Sequence, residues 1–294
     1  MTQLVNLGGI LVGTGSVIRD DGKHVSYDCL LRYYGAHTED VVFANEIFSW
    51  ITGSDQTAIV ATVANAGRDN EKLVLRRVAE AGRSIEVVGS RPGSSISGVS
   101  LASNEVLVAG TNSLRLIDLS SQTVVPLQVP AGFQPVQSHS ARALYAYTVE
   151  GEDSILWRCT SAGAARIAKV AGKISSVAEI SESELLVATW RPSDSLGGAS
   201  FSVLHIGPSD AARTVYSESK GYMPVIEKQG ELVLVEYVVY DPAKGMPRRA
   251  LVLSGADYKP VERLALRELK AAALRDGRVV GVTHDGKIVS LNQR

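Results

Sequence analysis

Cysteine, histidine and charge of one dominant sign are scarce in this sequence, and each shortage excludes a class of protein. The chain of 294 residues has 2 cysteines, Cys29 and Cys159, whose separation fits neither a disulfide framework nor a metal-binding motif. Its 30 Lys and Arg balance 31 Asp and Glu, so nucleic acid, which is held mainly through phosphate charge, is not an expected partner. The remaining composition is typical of a folded globular protein.

Long apolar runs are also lacking. No run approaches the roughly 18 residues that cross a bilayer. The first nine residues, MTQLVNLGG, show neither a basic segment nor a cleavage-site pattern. We therefore expect no membrane partner and a cytoplasmic location, where both cysteines stay reduced.

What the sequence does contain is one recurring unit. Each copy has a short apolar stretch, a polar turn and a run rich in Val, Leu, Ala and Thr, which is the pattern of a β-hairpin with buried strands. Two further strand-like segments follow most hairpins. The hairpin turns of the seven copies lie at Gly22, Asp55, Asn104, Arg142, Ser183, Gly230 and Gly277. A unit of about 40 residues with four short strands is typical of a β-propeller blade.

The predicted fold class is therefore all-β, a seven-bladed β-propeller that forms one domain over 1–294. The last unit lacks a fourth strand, whereas TQLVNL has the pattern of one, so we expect the N-terminal strand to close the ring in the last blade. A pair of β-sandwiches would also show short strands and turns, but it accounts less well for the near-constant spacing. The predicted blades are 8–46, 47–91, 92–130, 131–171, 172–217, 218–265, and 266–294 together with 2–7.

Over its whole length the repeat resembles the general plan of WD40-like seven-bladed propellers, without the motif of a specific family. The three tryptophans stand in Trp50-Ile51, Trp157-Arg158 and Trp190-Arg191, so no unit has a Trp-Asp ending. The recurring diglycine of kelch units is absent as well. The resemblance implies an architecture and no particular activity, because propellers support many functions.

In such a propeller, the loops between second and third strands and the loops between blades emerge on one face. Large aromatic and arginine side chains on that face are the residue types that most often anchor a partner. Individually, each is an ordinary loop residue, and only their convergence favours a binding site. The candidate binding residues are Tyr33, Tyr34, Arg68, Arg91, Phe133, Trp190, Arg191, Tyr222, Tyr240 and Arg248.

Candidates for catalysis are few. The five histidines show no metal-ligand spacing, and we predict no metal, no cofactor and no catalytic residue. His37, His284 and Asp285 come nearest to an acid–base set. The sequence predicts a non-catalytic binding module that holds a peptide or protein partner on the loop-rich face. The alternative is a propeller hydrolase or lyase acting on a small or carbohydrate-like substrate at the channel mouth.

Overall fold

A computed structural model describes most of the chain, and all its regular structure in those ranges is β-strand. The prediction of an all-β protein is confirmed. In the same ranges there is no helix of the length and apolar character needed to cross a bilayer. The described residues are 4–7, 10–20, 25–34, 38–53, 57–65, 70–79, 84–92, 97–100, 105–138, 143–193, 198–209, 211–241, 243, 245–266, 269–284 and 287–291.

The chain divides into two compact units. The first contains Met1–Val129, Ala141–Leu144 and Thr160–Gly163, and the second contains Pro130–Ser140, Tyr145–Cys159 and Ala164–Arg294.

Strands of the first unit form three four-stranded antiparallel sheets in which neighbours in sequence are neighbours in space. Sheet 1 consists of β1 (Leu4–Leu7), β2 (Ile10–Asp20), β3 (Val25–Tyr34) and β4 (Thr38–Phe43). Sheet 2 consists of β5 (Glu46–Gly53), β6 (Thr57–Ala64), β7 (Lys72–Ala79) and β8 (Ser84–Pro92). Sheet 3 consists of β9 (Ser97–Ser100), β10 (Glu105–Gly110), β11 (Ser113–Asp118) and β12 (Val124–Leu127).

The next strands begin with the two-residue strands β13 (Gln134–Pro135) and β14 (Gln137–Ser138). Sheet 4 joins β13 to β15 (Leu144–Glu150), β16 (Asp153–Thr160) and β17 (Gly163–Ala171). Sheet 5 joins β14, which runs parallel to its neighbour, to β18 (Lys173–Ser181), β19 (Glu184–Pro192), β20 (Ala199–Ile206) and β21 (Ala212–Glu218).

Two further sheets complete the described part of the second unit. Sheet 6 consists of β22 (Tyr222–Gln229), β23 (Leu232–Val238), β24 (Arg248–Ser254) and β25 (Lys259–Ala265). Sheet 7 consists of β26 (Leu269–Arg275), β27 (Arg278–Thr283) and β28 (Ile288–Leu291).

Inner strands are apolar on both faces where a sheet has a neighbour on each side, as sheet 6 has sheet 5 on one side and sheet 7 on the other. In β19, five consecutive residues from Leu185 to Thr189 are buried. A core cluster that includes Phe201, Val235 and Leu251 joins side chains of sheets 5 and 6. Burying one such side chain contributes about 1.5–3 kcal/mol, which holds the strand ends of these two sheets in place.

The turn between β26 and β27 shows how the sequence sets a hairpin. Arg275 pairs with Arg278, so the loop has two residues. Asp276 and Gly277 have φ values of 49° and 70°, as a type I′ turn requires, and Asp-Gly is a preferred sequence for it. The predicted hairpin turn at Gly277 is confirmed.

The N-terminal strand is not where the sequence analysis places it. Leu4 pairs with Gly13 and Leu7 with Ile10 in sheet 1, whereas sheet 7 has three strands in the described part of the chain. The prediction that 2–7 completes the last blade is therefore wrong for Leu4–Leu7. Pairing β1 with the next strand in sequence costs far less loop-closure entropy than pairing it with the other end of the chain. With β1, sheet 1 has four strands.

Candidate functional site

Strand register places several predicted binding residues at the same end of sheets 5 and 6. Lys173, the first residue of β18, pairs with Trp190 near the end of β19. Tyr222, the first residue of β22, pairs with Val238 at the end of β23. The rings of Trp190 and Tyr222 lie 6.2 Å apart between centroids and are tilted by 53°, so the two strand ends meet through aromatic side chains.

A lysine adds positive charge to this aromatic pair. The Nζ atom of Lys173 lies 5.5 Å from the centroid of the Trp190 ring, within the range of a cation–π interaction. Gly172, with a φ of 87°, makes the turn that precedes Lys173. A Cβ atom there would lie 2.9 Å from the carbonyl oxygen of Trp190, so glycine is required for the turn to pass beside the tryptophan.

Backbone hydrogen bonds extend the β23–β24 hairpin beyond the end of β23. The N–H of Val239 donates to the carbonyl of Pro247 at 3.1 Å, and the N–H of Asp241 donates to that of Gly245 at 2.8 Å. These bonds place Tyr240 and Met246 opposite one another. Their side chains are 45% and 57% exposed, so the loop presents an aromatic ring and a thioether on a fixed backbone.

Met223 is the most exposed large apolar residue of the described chain, at 60%. It has a φ of 46° and lies in an irregularity of the β22–β23 pairing between Tyr222 and Val225. A left-handed conformation is strained for a non-glycine residue, and more so before proline. The Oγ of Ser175 donates to the carbonyl of Pro224 at 2.6 Å and so helps to hold the segment in this shape.

These side chains lie at the same end of sheets 5 and 6, and we call them together the Trp190 surface. Met223 was not among the predicted binding residues. The sequence does contain one signal for it, because methionine is rare in this chain, with only three residues. The surface consists of Lys173, Trp190, Tyr222, Met223, Tyr240 and Met246.

Arg191 faces a different neighbour from Trp190, as consecutive strand residues do. Its Nη2 lies 3.8 Å from a carboxylate oxygen of Asp153. Lys169 lies 3.6 Å from the other oxygen of Asp153 and 2.8 Å from Glu150. The hydrogen bond from Lys169 lowers the pKa of Glu150. Arg191 is thus part of an exposed ionic network beside the Trp190 surface.

Arg248 joins sheets 6 and 7. Its Nη2 donates to Glu236, and its Nη1 donates to the carbonyl of Leu269 at 3.3 Å. Burial raises the pKa of Glu236, while the charge of Arg248 and its hydrogen bond act to lower it. The guanidinium is engaged within the fold, so Arg248 is not one of the contact residues that we propose.

Two predicted contact residues are core residues. Phe133 is 0% exposed and Tyr33 is 3% exposed, which leaves almost no side-chain surface for a partner. The prediction that they contribute binding surface is wrong. Because β1 is the first strand of sheet 1, β3 is its third strand and not its second. The loop that follows Tyr33 therefore lies at the end of sheet 1 opposite the β2–β3 connection.

The remaining predicted residues are only partly covered by the structure. Tyr34 ends β3 and Arg91 lies in β8, and the structure describes their backbone alone. His284 is exposed after the end of β27. Arg68, His37 and Asp285 lie outside the described residues, so the acid–base hypothesis built on them stays a prediction.

Within the described ranges, no three His, Cys, Asp or Glu side chains are grouped so that they could hold a metal ion. Cys29 and Cys159 are unpaired and buried. Burial raises the pKa of each thiol to about 12. Because only the thiolate is strongly nucleophilic, neither cysteine is suited to covalent chemistry near neutral pH.

Solved structures show the fold of this chain. It is similar to a chain in the crystal structure of a mitotic checkpoint complex, at 9% identity over 99% of this chain and 90% of that one, with a TM-score of 0.62. The WD40 domain of coronin from Toxoplasma gondii shares 9% identity over 98% and 79%, with a TM-score of 0.58. The β-propeller domain of the Trilobed protease from Pyrococcus furiosus, described as having an open velcro topology, shares 11% over 85% and 84%, with a TM-score of 0.55.

These likenesses show that the chain has the β-propeller fold of WD40-like proteins, as the sequence repeat predicts. At such low identity they define no specific family. No family model matches the sequence, and no curated protein matches it either.

Proposed function

We propose that this protein is a non-catalytic binding module that holds a peptide or protein partner on the Trp190 surface. The observation that supports the proposal is the exposure of Met223, Tyr240 and Met246 at the end of sheet 6 where the Trp190–Tyr222 ring pair also lies. Exposed apolar side chains grouped on an ordered backbone are typical of interaction sites. Aromatic anchors also bind with little loss of side-chain entropy.

The proposal includes the arrangement of the chain as seven blades with the boundaries predicted from the repeat, apart from the N-terminal strand. Each of the seven sheets would be one blade, and the Trp190 surface would lie at the ends of the fifth and sixth. A cytoplasmic location also remains part of the proposal, supported by the two unpaired cysteines. We propose no nucleic-acid or membrane partner.

Affinity capture from the source cells tests this function with a designed set of variants. Trp190→Ala and Tyr240→Ala, singly and together, should each weaken retention of the specific partner by at least about 2 kcal/mol, or roughly thirtyfold. Val261→Ala is a matched control, because Val261 is 56% exposed on β25 of the same sheet 6. Unchanged retention by the folded double variant would contradict the proposal.

The competing function is a propeller hydrolase or lyase, and the likeness to the propeller domain of a protease is compatible with it. Of the residues named for that function, His284 is the one that the structure describes. Chromogenic ester, peptide and glycoside substrates would test it directly. Turnover that His284→Ala abolishes and the Trp190→Ala, Tyr240→Ala double variant leaves intact would favour the enzyme.

A further inference from the structure

Sheets 6 and 7 face each other row against row. One row of directly paired residues crosses the four strands of sheet 6 and consists of Glu227, Leu234, Val252 and Glu262. A second row crosses the three strands of sheet 7 and consists of Leu274, Val279 and Leu291. The rows meet at their first members, because the carboxylate of Glu227 accepts from the N–H of Leu274, and their apolar members pack in one core cluster. Glu262 therefore lies opposite the position beyond Leu291, where a fourth strand of sheet 7 would run.

The outer strand of sheet 7 has polar backbone groups at its edge. Sheets 1, 2, 3, 4 and 6 have four strands, whereas sheet 7 ends at its third strand, β28, in the part of the chain that the structure describes. The N–H of Thr283 donates to the carbonyl of Lys287 at 2.9 Å, and alternate residues of an antiparallel pair repeat this arrangement. The N–H and C=O groups of Ile288 and Ser290 consequently point away from β27, towards the open edge.

Glu262 places an acidic group beside this edge. Its Oε2 is buried and has no hydrogen-bond partner among the described residues, while the residue as a whole is partly exposed. A buried carboxylate oxygen without a donor is unfavourable, so a donor in the fourth-strand position would stabilise it. Lys287 projects to the same face as Leu291 but is four residues away, or roughly 13 Å along the strand, which is too far to provide that donor.

The other face of the same outer strand shows which donor fits. Arg263 of β25 donates to Glu218 of β21 at 2.7 Å and to the hydroxyl of Tyr216 at 2.9 Å. An arginine on the outer strand of sheet 6 thus pairs with a carboxylate on the outer strand of sheet 5. Glu262 repeats the acidic half of this pair towards sheet 7, and the basic half would come from a strand beside β28.

The place beside β28 suits a single extended segment. Leu264 of β25 packs against the same core cluster as Val289 and Leu291 of β28, so β25 stands over the edge of sheet 7. A second copy that paired antiparallel through its own β28 would present the same face in one continuous sheet, and its sheet 6 would overlap with β25. The geometry therefore favours one added strand over the edge of another propeller.

We propose that the outer edge of β28 binds an extended segment of a partner protein, which adds to sheet 7 as a fourth strand and pairs a basic side chain with Glu262. The main chain of the segment bonds to the polar groups of Ile288 and Ser290, as in strand addition to other open sheet edges. An apolar side chain two positions from the basic one packs on Leu264 and Val289. This site is separate from the Trp190 surface and does not rest on the proposed function.

Fluorescence anisotropy with designed peptides tests the site. The probe is a fluorescein-labelled Gly/Ser peptide with a central Val-Thr-Arg-Thr-Val segment, and matched peptides carry Gln or Glu in place of Arg. We expect the Arg peptide to bind about three- to fivefold more tightly than the Gln peptide, as a partly exposed ion pair allows, and the Glu peptide to bind most weakly. N-methylation of both threonines should abolish binding, because it removes the N–H groups that pair with β28.

Hydrogen exchange locates the bound peptide. Saturation with the Arg peptide should slow amide exchange at Ile288 and Ser290, whose N–H groups point to the open edge. Unchanged exchange at both residues in the complex would contradict strand addition at β28.

Charge reversal provides the decisive comparison. Glu262→Lys should invert the order, so that the Glu peptide binds more tightly than the Arg peptide. Glu262→Gln changes the side-chain shape least and should remove the preference for Arg over Gln. Glu152→Lys is the matched control, because Glu152 is exposed in the turn between β15 and β16 of sheet 4, and it should leave the order unchanged.

The outcomes separate this site from the Trp190 surface. No binding of the Arg peptide, equal binding of the Arg and Gln peptides, or an order that both Glu262 variants leave unchanged would overturn the inference. Loss of peptide binding in the Trp190→Ala, Tyr240→Ala double variant would assign the peptide to the Trp190 surface and overturn it as well. Self-association of the protein that Glu262→Lys disrupts would show that a second copy occupies the edge, against the proposal.

Discussion

The carboxylate of Glu227 accepts a hydrogen bond from the backbone N–H of Leu274 at 3.1 Å. This bond joins β22 of sheet 6 to β26 of sheet 7. Burial raises the pKa of Glu227 to about 7, and the negative charge of Glu236 contributes in the same direction, while the bond from Leu274 opposes it. The junction of these two sheets therefore contains a group that titrates near neutral pH.

Stability should consequently fall as the pH rises. The folded state keeps the Glu227 proton up to about pH 7, whereas the unfolded state releases it near the ordinary pKa of 4.5, so unfolding is favoured increasingly between these values. Glu227→Gln should remove this fall and stabilise the protein at pH 8 by roughly 1–3 kcal/mol. Urea unfolding at pH 5 and pH 8 measures the change in the free energy of unfolding, with Glu231→Gln, a substitution at an exposed neighbour, as the control. Equal pH dependence in Glu227→Gln and the parent would contradict the prediction.

Gly221 should tolerate no side chain. A Cβ atom there would lie 2.7 Å from Cδ1 of Phe201 and 2.8 Å from Cδ2 of Tyr237, both in the core between sheets 5 and 6. Gly221→Ala should lower the free energy of unfolding by about 1–3 kcal/mol through overpacking. Gly207→Ala is the matched control, since its nearest neighbour would be His205 at 3.6 Å, and denaturant unfolding of both variants should separate them. An equal loss of unfolding free energy in the two variants would contradict the prediction, because it would show that the side chains around Gly221 move to make room for the methyl group.

The ion pair of Arg76 and Glu46 is the most enclosed charge pair described, with side chains 8% and 12% exposed. Both guanidinium nitrogens bond the carboxylate at 2.6 Å, and the hydroxyl of Thr62 donates to it as well. Arg76→Met leaves the carboxylate without its counter-ion and should cost about 3–5 kcal/mol. Thermal unfolding would measure the loss. A double variant, Arg76→Met with Glu46→Leu, should recover much of it, and a loss equal to the sum of the single variants would refute the coupling.

Deletion of residues 1–7 distinguishes the two positions considered for the N-terminal strand. Because β1 pairs with β2, its removal should expose the edge of sheet 1 and speed amide hydrogen exchange in Ile10–Asp20. Exchange in β28 of sheet 7 should stay unchanged. Faster exchange in β28 instead would support closure of the last blade by this strand.

The hairpin turns could be predicted from sequence because their chemistry is local. Gly230 and Gly277 both adopt the positive φ that their predicted turns need, and glycine adopts it without steric cost. The partner of TQLVNL could not be predicted in the same way, because its apolar alternation fits either edge and only loop-closure entropy favours the nearer one.

Residue type pointed to candidate contact residues, but their environment could not be predicted. Trp190, Tyr222 and Tyr240 were expected on one surface. The rings of Trp190 and Tyr222 are in contact, and Tyr240 follows the strand end that pairs with Tyr222, while their role in binding stays a prediction. Phe133 was expected there too, yet its N–H bonds the carbonyl of Pro130 in a tight turn and its ring is buried. Whether a loop aromatic points outward depends on packing between sheets, which no local pattern encodes.

One short segment, 134–138, takes part in two sheets. Gln134 and Pro135 pair with β15 in sheet 4, and Gln137 and Ser138 pair with β18 in sheet 5. Between them, the N–H of Val136 donates to the carbonyl of Tyr145 at 3.0 Å. A pulling force that separated sheets 4 and 5 would load this segment along its length and strain both sets of hydrogen bonds at once. The two sheets should therefore rupture in a single mechanical step rather than peel apart one after the other.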